Sequence, residues 1–450
     1  VTATDVLGTR TFSYNGNLQL ITEVIPDGEG GSNTISRSYA TSGMKGRSTG
    51  FELDEDYGVA YTHDGVGRFS TLTSTLSALG VTNAFTYTYL ANSDLVSGYS
   101  ESGSGLTVNR SFEPNRDLVT QVKNQAGAVT VSQYDYASDV ISRRTSIKMS
   151  GTGFGDMGNT FNLYGYNSRS EVTSAQRFFG SAITQTNNPV LGQVWAYEFD
   201  NIGDRESATR NVTNTETYTA NQLNQYSQRT VPPVVPVLGT AETNATVTVN
   251  NSSVTRQGHY WFKQLGVTNT SAAVYQPVNV VGVYNPPGTN DPDVVTIETG
   301  DVFVAKTPEI YGYDSDGNMT NDGRFAYSWD GENRMVGATP LAPIAGNQKV
   351  QLSFDYMGRR CREIISAYDG TNWLANVTNA WVYDGWSPVQ ETVVTASGSS
   401  TNWWTHGLDL SGSLQGAGGI GGLLSWTRSS DAKTFFYFAD GNGNITELLD

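Results

Sequence analysis

Aromatic and polar positions alternate along most of this chain in one recurring order. An aromatic, any residue, a second aromatic, often Asp, and then a Gly-containing turn follow one another. The clearest copies are Tyr311-Gly-Tyr313-Asp314-Ser-Asp-Gly317-Asn318 and Tyr437-Phe-Ala-Asp440-Gly-Asn-Gly443-Asn444. Tyr61-Thr-His63-Asp64-Gly-Val-Gly67-Arg68 and Tyr197-Glu-Phe199-Asp200-Asn-Ile-Gly203-Asp204 follow the same plan. Shorter echoes are Phe12-Ser-Tyr14-Asn15, Tyr87-Thr-Tyr89, Tyr164-Gly-Tyr166-Asn167, Tyr327-Ser-Trp329-Asp330 and Trp381-Val-Tyr383-Asp384. Weaker ones occur at Tyr39, Phe112, Tyr134 to Tyr136, Tyr218 and Phe354-Asp355-Tyr356. Successive copies are roughly two dozen residues apart, the length of one two-stranded unit.

Each part of the pattern has a physical reason. Aromatics at i and i+2 share one face of a strand, so they are expected to stack as a ladder with their neighbours. The Asp or Asn that follows accepts backbone amides two residues on and starts a turn. Gly three residues after the Asp takes a positive φ without a clash. Arg or Asn then leads into the return strand. The repeat elements named on this basis are Tyr61, Asp64, Gly67, Tyr313, Asp314, Gly317, Tyr383, Asp384, Asp440 and Gly443. A single hairpin is marginal, whereas stacked hairpins share one sheet. The expected fold is all-β: a spiral sheet of hairpin repeats.

The rhythm stops between Tyr226 and Tyr311. Val231-Pro-Pro-Val-Val-Pro236 reads as a stiff extended linker, followed by β-rich runs at Ala245–Asn250, Tyr260–Leu265, Val278–Val283 and Val294–Glu298. These predict an inserted β-sandwich-like module at 233–304, with repeats at 1–232 and 305–450. Such a module suits a spacer or a carbohydrate-binding element.

The series of copies resembles the RHS/YD-repeat family: bacterial secreted or surface proteins, toxin-complex shell proteins and the related teneurins. The resemblance implies hairpins winding into a hollow shell, which in many members encloses a toxic C-terminal cargo and ends in a self-cleaving segment. The Gly-rich stretch from Leu408 to Leu423 looks like one found near the end of such tracts. No self-cleavage motif or toxin domain is read before Asp450, and Val1 is not a natural start, so a processed or excised piece is expected.

Composition agrees with short strands and tight turns: 49 Gly, 24 Tyr against 17 Phe, and only 16% charged residues. The formal charge of −16, from 43 acids and 27 bases, argues against nucleic acid and against an anionic membrane. No apolar run reaches the roughly 18 residues of a membrane helix. Cys361 stands alone, which excludes an intrachain disulfide.

Candidate chemistry is sparse. His63, His259 and His406 are the three histidines. None has a second His at zinc-ligand spacing, so no metal is expected. His63 occupies the second aromatic position of its repeat, where it serves either as a stacked ring or as an acid–base group. His259 and His406 leave the same two possibilities open. Gly416-Ala-Gly418-Gly-Ile-Gly421 matches a dinucleotide fingerprint, but a strand-like run follows where a helix is required, so no cofactor is expected. Asp314-Ser-Asp316-Gly-Asn318 opens like a calcium loop, yet Met319 and Phe325 stand where Gly and Glu are needed. Asp54-Glu55-Asp56 reads as a solvated loop.

The preferred function is therefore structural: a secreted or surface-exposed bacterial shell that encloses or displays a partner or cargo. Two alternatives stay open. One is a carbohydrate-active enzyme, a polysaccharide lyase or hydrolase, with a groove where a His meets Tyr and Arg. The other is a carbohydrate-binding or adhesin role for the inserted module.

Overall fold

A computed structural model of the protein describes residues 1–286, 288 and 291–450. Pro287, Thr289 and Asn290, inside the range assigned to the inserted module, lie outside the described residues. The chain is all-β, built of large antiparallel sheets, and its only helical elements among the described residues are two single 3-10 turns. It separates into two compact units, residues 1–131 with 327–450, and residues 132–326.

In the first unit, each strand from Thr2–Asp5 to Leu106–Phe112 pairs antiparallel with the next, and Leu106–Phe112 pairs with Val119–Ala126. A second group runs from Met335–Pro340 to Ile445–Leu449 in the same way. Alternation sets the faces: along Tyr57–His63, Tyr57, Val59 and Tyr61 are buried while Ala60 and Thr62 are exposed. Register repeatedly slips beside the last aromatic before the turn, as at Ser13/Tyr14, Ser38/Tyr39, Thr88/Tyr89, Ser353/Phe354 and Val382/Tyr383. A bulge at that point raises the local twist and re-aims the second ring.

Within this unit the two strand groups meet face to face through buried side chains. The Tyr57 hydroxyl donates to Trp404 O at 2.9 Å and lies 3.1 Å from Thr405 Oγ1. The Phe85 and Phe436 ring centroids are 6.1 Å apart. The Leu408 amide donates to the Tyr87 hydroxyl at 3.1 Å, and Asn124 Nδ2 donates to Ala439 O at 3.2 Å.

One chain of charges ties the same two groups together. Buried Arg10 reaches Asp5 (3.0 Å), Glu23 (3.2 Å) and Asp355 (3.3 Å). Arg37 joins Glu23 (3.2 Å) to Asp384 (2.8 Å), and Asp355 also takes Arg359 at 2.6 Å. Each of these charges loses water on burial, so the network holds only because the carboxylates and guanidiniums satisfy one another.

In the second unit, consecutive strands pair from Arg144–Ser150 to Tyr226–Arg229, and the last of these pairs with Glu309–Ile310. The segment between them forms two small sheets. One contains Val234–Thr240, Tyr260–Gly266 and Thr255–Gln257. The other contains Ser252–Ser253, Thr246–Val249, Val274–Tyr284 and Val294–Val304. Val247, Val249 and Trp261 form their core, with Val237, Ala241, Val254, Leu265, Val278 and Val280 packed around it.

Arg10→Met leaves Asp5, Glu23 and Asp355 without a shared cation. We expect a loss of about 3–5 kcal/mol in urea unfolding. A loss under about 1 kcal/mol would show that the network does not clamp the first unit.

Candidate functional site

The repeated turn is an arrangement of polar side chains that recurs along the chain. Its Asp or Asn sits where the strand ends. In the copy at Asp64, Oδ1 accepts the amides of Val66 (3.0 Å) and Arg68 (2.9 Å), and Oδ2 accepts Arg68 Nε at 2.8 Å. Asp139, Asp330 and Asp355 repeat this set with Arg143, Arg334 and Arg359. Asp314 and Asp440 use Asn318 and Asn444 instead. Where the first residue is Asn, an acceptor answers it four residues on: Asn15 donates to Gln19, Asn167 to Glu171 and Asn221 to Gln225. In these copies an acid at the first position takes a donor at the fifth and an amide takes an acceptor; the copy at Asp200 departs, its Oδ1 accepting the Ile202 and Asp204 amides with an acid at the fifth position. Gly67 fits because its φ is +93° and because a Cβ would come within 2.6 Å of the Arg47 guanidinium.

The fifth residue also reaches the neighbouring turn. In the first unit Gln19 donates to Gly46 O, Arg68 to Ser93 O (2.5 Å) and Arg359 to Gly385 O, while Arg47 of the second turn donates to Gly67 O. In the second unit Arg143 donates to Asn167 O (3.1 Å) and Gln225 to Gly317 O (3.4 Å). The second aromatic points back the other way. Tyr39, Tyr89 and Tyr383 donate their hydroxyls to Leu20, Phe69 and Arg360 carbonyls at 2.7–3.0 Å, as do Tyr166 to Arg144 and Tyr313 to Tyr226. The Arg of one turn stacks on that ring of the next: Arg68 on Tyr89 (4.3 Å), Arg143 on Tyr166 (4.8 Å) and Arg359 on Tyr383 (5.0 Å).

This differs from the simple ring ladder expected of the repeat. First-position rings such as Tyr61 and Tyr87 are buried inside the sheet, and second-position rings couple through Arg and through backbone carbonyls. Asp384 departs from the turn role assigned to it. Its strand returns through the tight Gly385-Trp386 turn, with Asp384 opposite Ser387. Its carboxylate takes Arg37 Nε (3.0 Å) and Nη2 (2.8 Å). Tyr313, Asp314, Gly317, Asp440 and Gly443 occupy repeated turns, and Tyr383 reaches back to the turn at Asp355.

The three histidines occupy separate settings. His63 packs on Phe69 with centroids 4.8 Å apart, and its pKa is lowered by burial and then by the Arg47 charge. His259 lies in the second unit, 4.0 Å from exposed Glu242. His406 Nε2 is 2.9 Å from Pro388 O, while Nδ1 has no hydrogen-bond partner among the described residues. Its ring borders a cavity of about 20 Å³ with Tyr61, Asp384, Ser387 and Gln415, room for one water and too small for a sugar ring. Burial pushes its pKa down to about 4.

The Gly-rich loop at 416–421 is spoken for from within. Asp409 Oδ2 accepts the amides of Ala417 (2.6 Å) and Gly419 (3.2 Å), and the strand Leu423–Arg428 follows. The Asp54 carboxylate accepts the Thr34 amide at 2.6 Å.

Tyr383→Phe removes one hydroxyl donor and should cost about 1 kcal/mol in urea unfolding. Asp330→Asn, which keeps an amide-accepting oxygen, should lower the midpoint less than Asp330→Ala. Acid should loosen these turns last. The Asn318 side chain holds Asp314 below the usual carboxylate range, and the Arg334 amide does so for Asp330. Depressed carboxylates stabilise above their unfolded pKa, so this stability is present at neutral pH and lost as pH falls through their lowered folded values.

His406 acts in a separate window. Its folded pKa lies below the unfolded value, so stability is full above pH 6.5 and falls as pH drops to about 4. The slope reaches at most about 1.4 kcal/mol per pH unit. His406→Gln should remove that slope from urea midpoints measured across the window; an unchanged slope would place its origin elsewhere.

No family model matches the chain. Over 144 residues, 32% of the chain, it is 28% identical to the tRNA3(Ser)-specific nuclease WapA of Bacillus spizizenii. It is also similar to a crystal structure of TcdB2-TccC3 without its hypervariable C-terminal region: TM-score 0.44, 10% identity, 99% of this chain and 23% of that one. A Photorhabdus luminescens Tc holotoxin pore gives a TM-score of 0.35 at 10% identity, again over 99% of this chain and 23% of that one. The aligned stretch spans 5% of the length of the curated relative.

Proposed function

We propose that this chain is a YD-repeat wall segment of a secreted or surface-exposed bacterial shell that encloses or displays a partner. The observation that carries the proposal is the turn seam. The same acid–donor or amide–acceptor pairing returns at Asn15, Asp64, Asp139, Asn167, Asn221, Asp314, Asp330, Asp355 and Asp440, and at Asn15, Asp64, Asp139, Asn221 and Asp355 its fifth residue also bonds the neighbouring turn. Side-chain chemistry spent in this way builds a surface and leaves few groups aimed at a substrate. The stretch shared with a much longer bacterial protein fits a repeat tract within a larger one. The three-part division at 1–232, 233–304 and 305–450 belongs to the same proposal, with the middle part as a spacer carried on the wall.

The test uses the full gene product. If the repeats enclose cargo, any segment fused to or encoded with them is expected to resist added protease until the repeats are unfolded. Digestion of that segment at the rate of a free peptide would rule out enclosure. Incubation with a polysaccharide panel addresses the enzyme alternative: unsaturated products that vanish in a His63 or His406 variant would replace the structural reading.

A further inference from the structure

A cleft of about 480 Å³ lies within the second unit, where the repeat strands meet the inserted module. Its volume is in the range of ligand sites. One wall is the apolar stretch from Val231 to Pro236, and the other is Val302–Ala305 at the end of the strand Val294–Val304. Arg210, Arg229 and Arg324 line it together with Glu216, Glu309 and Asp322.

These charges balance in number, so the distribution of unused donors decides what can bind. Glu309 and Glu216 both hold Arg229, at 2.5 and 3.3 Å, and each also accepts a tyrosine hydroxyl, from Tyr311 and Tyr218. The Asp322 carboxylate accepts the amides of Arg324 (2.9 Å) and Phe325 (2.7 Å). The carboxylates are therefore occupied. Arg210 and Arg324 are not: among the described residues neither has a carboxylate partner. Arg210 spends only Nε, on Gly192 O at 2.9 Å, with its guanidinium 5.5 Å from the Trp195 ring centroid. Arg324 stacks on Phe303 (5.1 Å) and Phe325 (4.9 Å). Stacking uses the face of a guanidinium and leaves its in-plane N–H groups free, already oriented for a carboxylate.

Two features select the kind of ligand. A sugar ring stacks on a free aromatic face, but the Phe303 ring is taken by Arg324 and by Tyr275, the latter at 5.3 Å edge-on. Apart from the charged groups and Asn214, the remaining lining is aliphatic. The strand Val294–Val304 pairs along its whole length with Val274–Tyr284 and ends its sheet, so among the described residues its outer edge is open to an added strand. We propose that this cleft binds an extended acidic polypeptide segment, with carboxylates on Arg210 and Arg324 and apolar side chains against the Val–Pro wall. The site stands independently of the wall role.

The probe is a fluorescein-labelled peptide alternating Glu and Val, titrated by anisotropy into the whole chain, with a matched Gln–Val peptide as control. The acidic peptide should bind at least about tenfold tighter than the control, and Arg324→Gln should weaken it by about the same factor. Arg324 is exposed, so this variant is expected to fold; Arg210→Lys, which keeps the charge but not the fork, serves as a second variant. Equal binding of the two peptides, or binding unaffected by Arg324→Gln and Arg210→Lys alike, overturns the proposal. So does tighter binding of an oligouronate than of the acidic peptide.

Discussion

One side-chain oxygen holds the repeated turn: it accepts two backbone amides and, in the copies from Asn15 and Asp64 to Asp440 other than Asp200, leaves its sister atom to the residue four positions on. Hairpins are marginal alone because a tight turn strands backbone donors that the two strands cannot satisfy. Placing an Asp or Asn at the strand end solves this locally. The fifth residue, already fixed by that bond, is then preset to reach the next turn, and this makes it a link between hairpins as well as a cap. Tyrosine belongs at the second aromatic position for a related reason. Phenylalanine could supply the ring under the arginine, but only tyrosine also carries the hydroxyl that returns to the preceding turn's carbonyl.

The seam acts between neighbours in sequence. Something else must join strands distant in sequence, and in the first unit that is the charge chain from Asp5 through Arg10, Glu23 and Arg37 to Asp384, with Asp355 and Arg359 at its side. Asp5 to Arg37 lie more than three hundred residues from Asp355 and Asp384, yet they share guanidiniums, while Tyr57, Phe85, Tyr87 and Phe436 join the same two strand groups elsewhere. The apolar rings supply most of the burial energy. The charges penalise any other register, because a shifted strand would leave an ion without a partner. Asp384 illustrates the competition. It stands where the repeat puts a turn carboxylate, but its turn is too short to offer it amides, so the acid serves Arg37 instead.

The architecture was legible from spacing alone because side-chain alternation, the Asx turn and the positive-φ glycine are short-range rules. The complement at the fifth position was also written in the chain, as Asp with Arg or Asn and as Asn with Gln or Glu, though only the place of Arg or Asn at the start of the return strand was visible without coordinates. The histidines show the limit. His63 is placed on a ring by its repeat position, whereas nothing near His406 in sequence foretells a cavity shared with Tyr61 and Asp384. The Gly-rich loop matches a dinucleotide fingerprint only in spacing, and nothing in that match foretells that its amides meet the Asp409 carboxylate.

By itself, then, the sequence determined the strands, their hairpin turns and the identity of the capping pairs, because each depends on groups within about five residues of one another. Tertiary structure alone decided which carboxylates became ion-pair partners, which rings went inside, and where two arginines were left with unspent donors at the Val–Pro cleft. Those outcomes depend on strands that meet only after folding, and burial sets their energies through neighbours that no local pattern records.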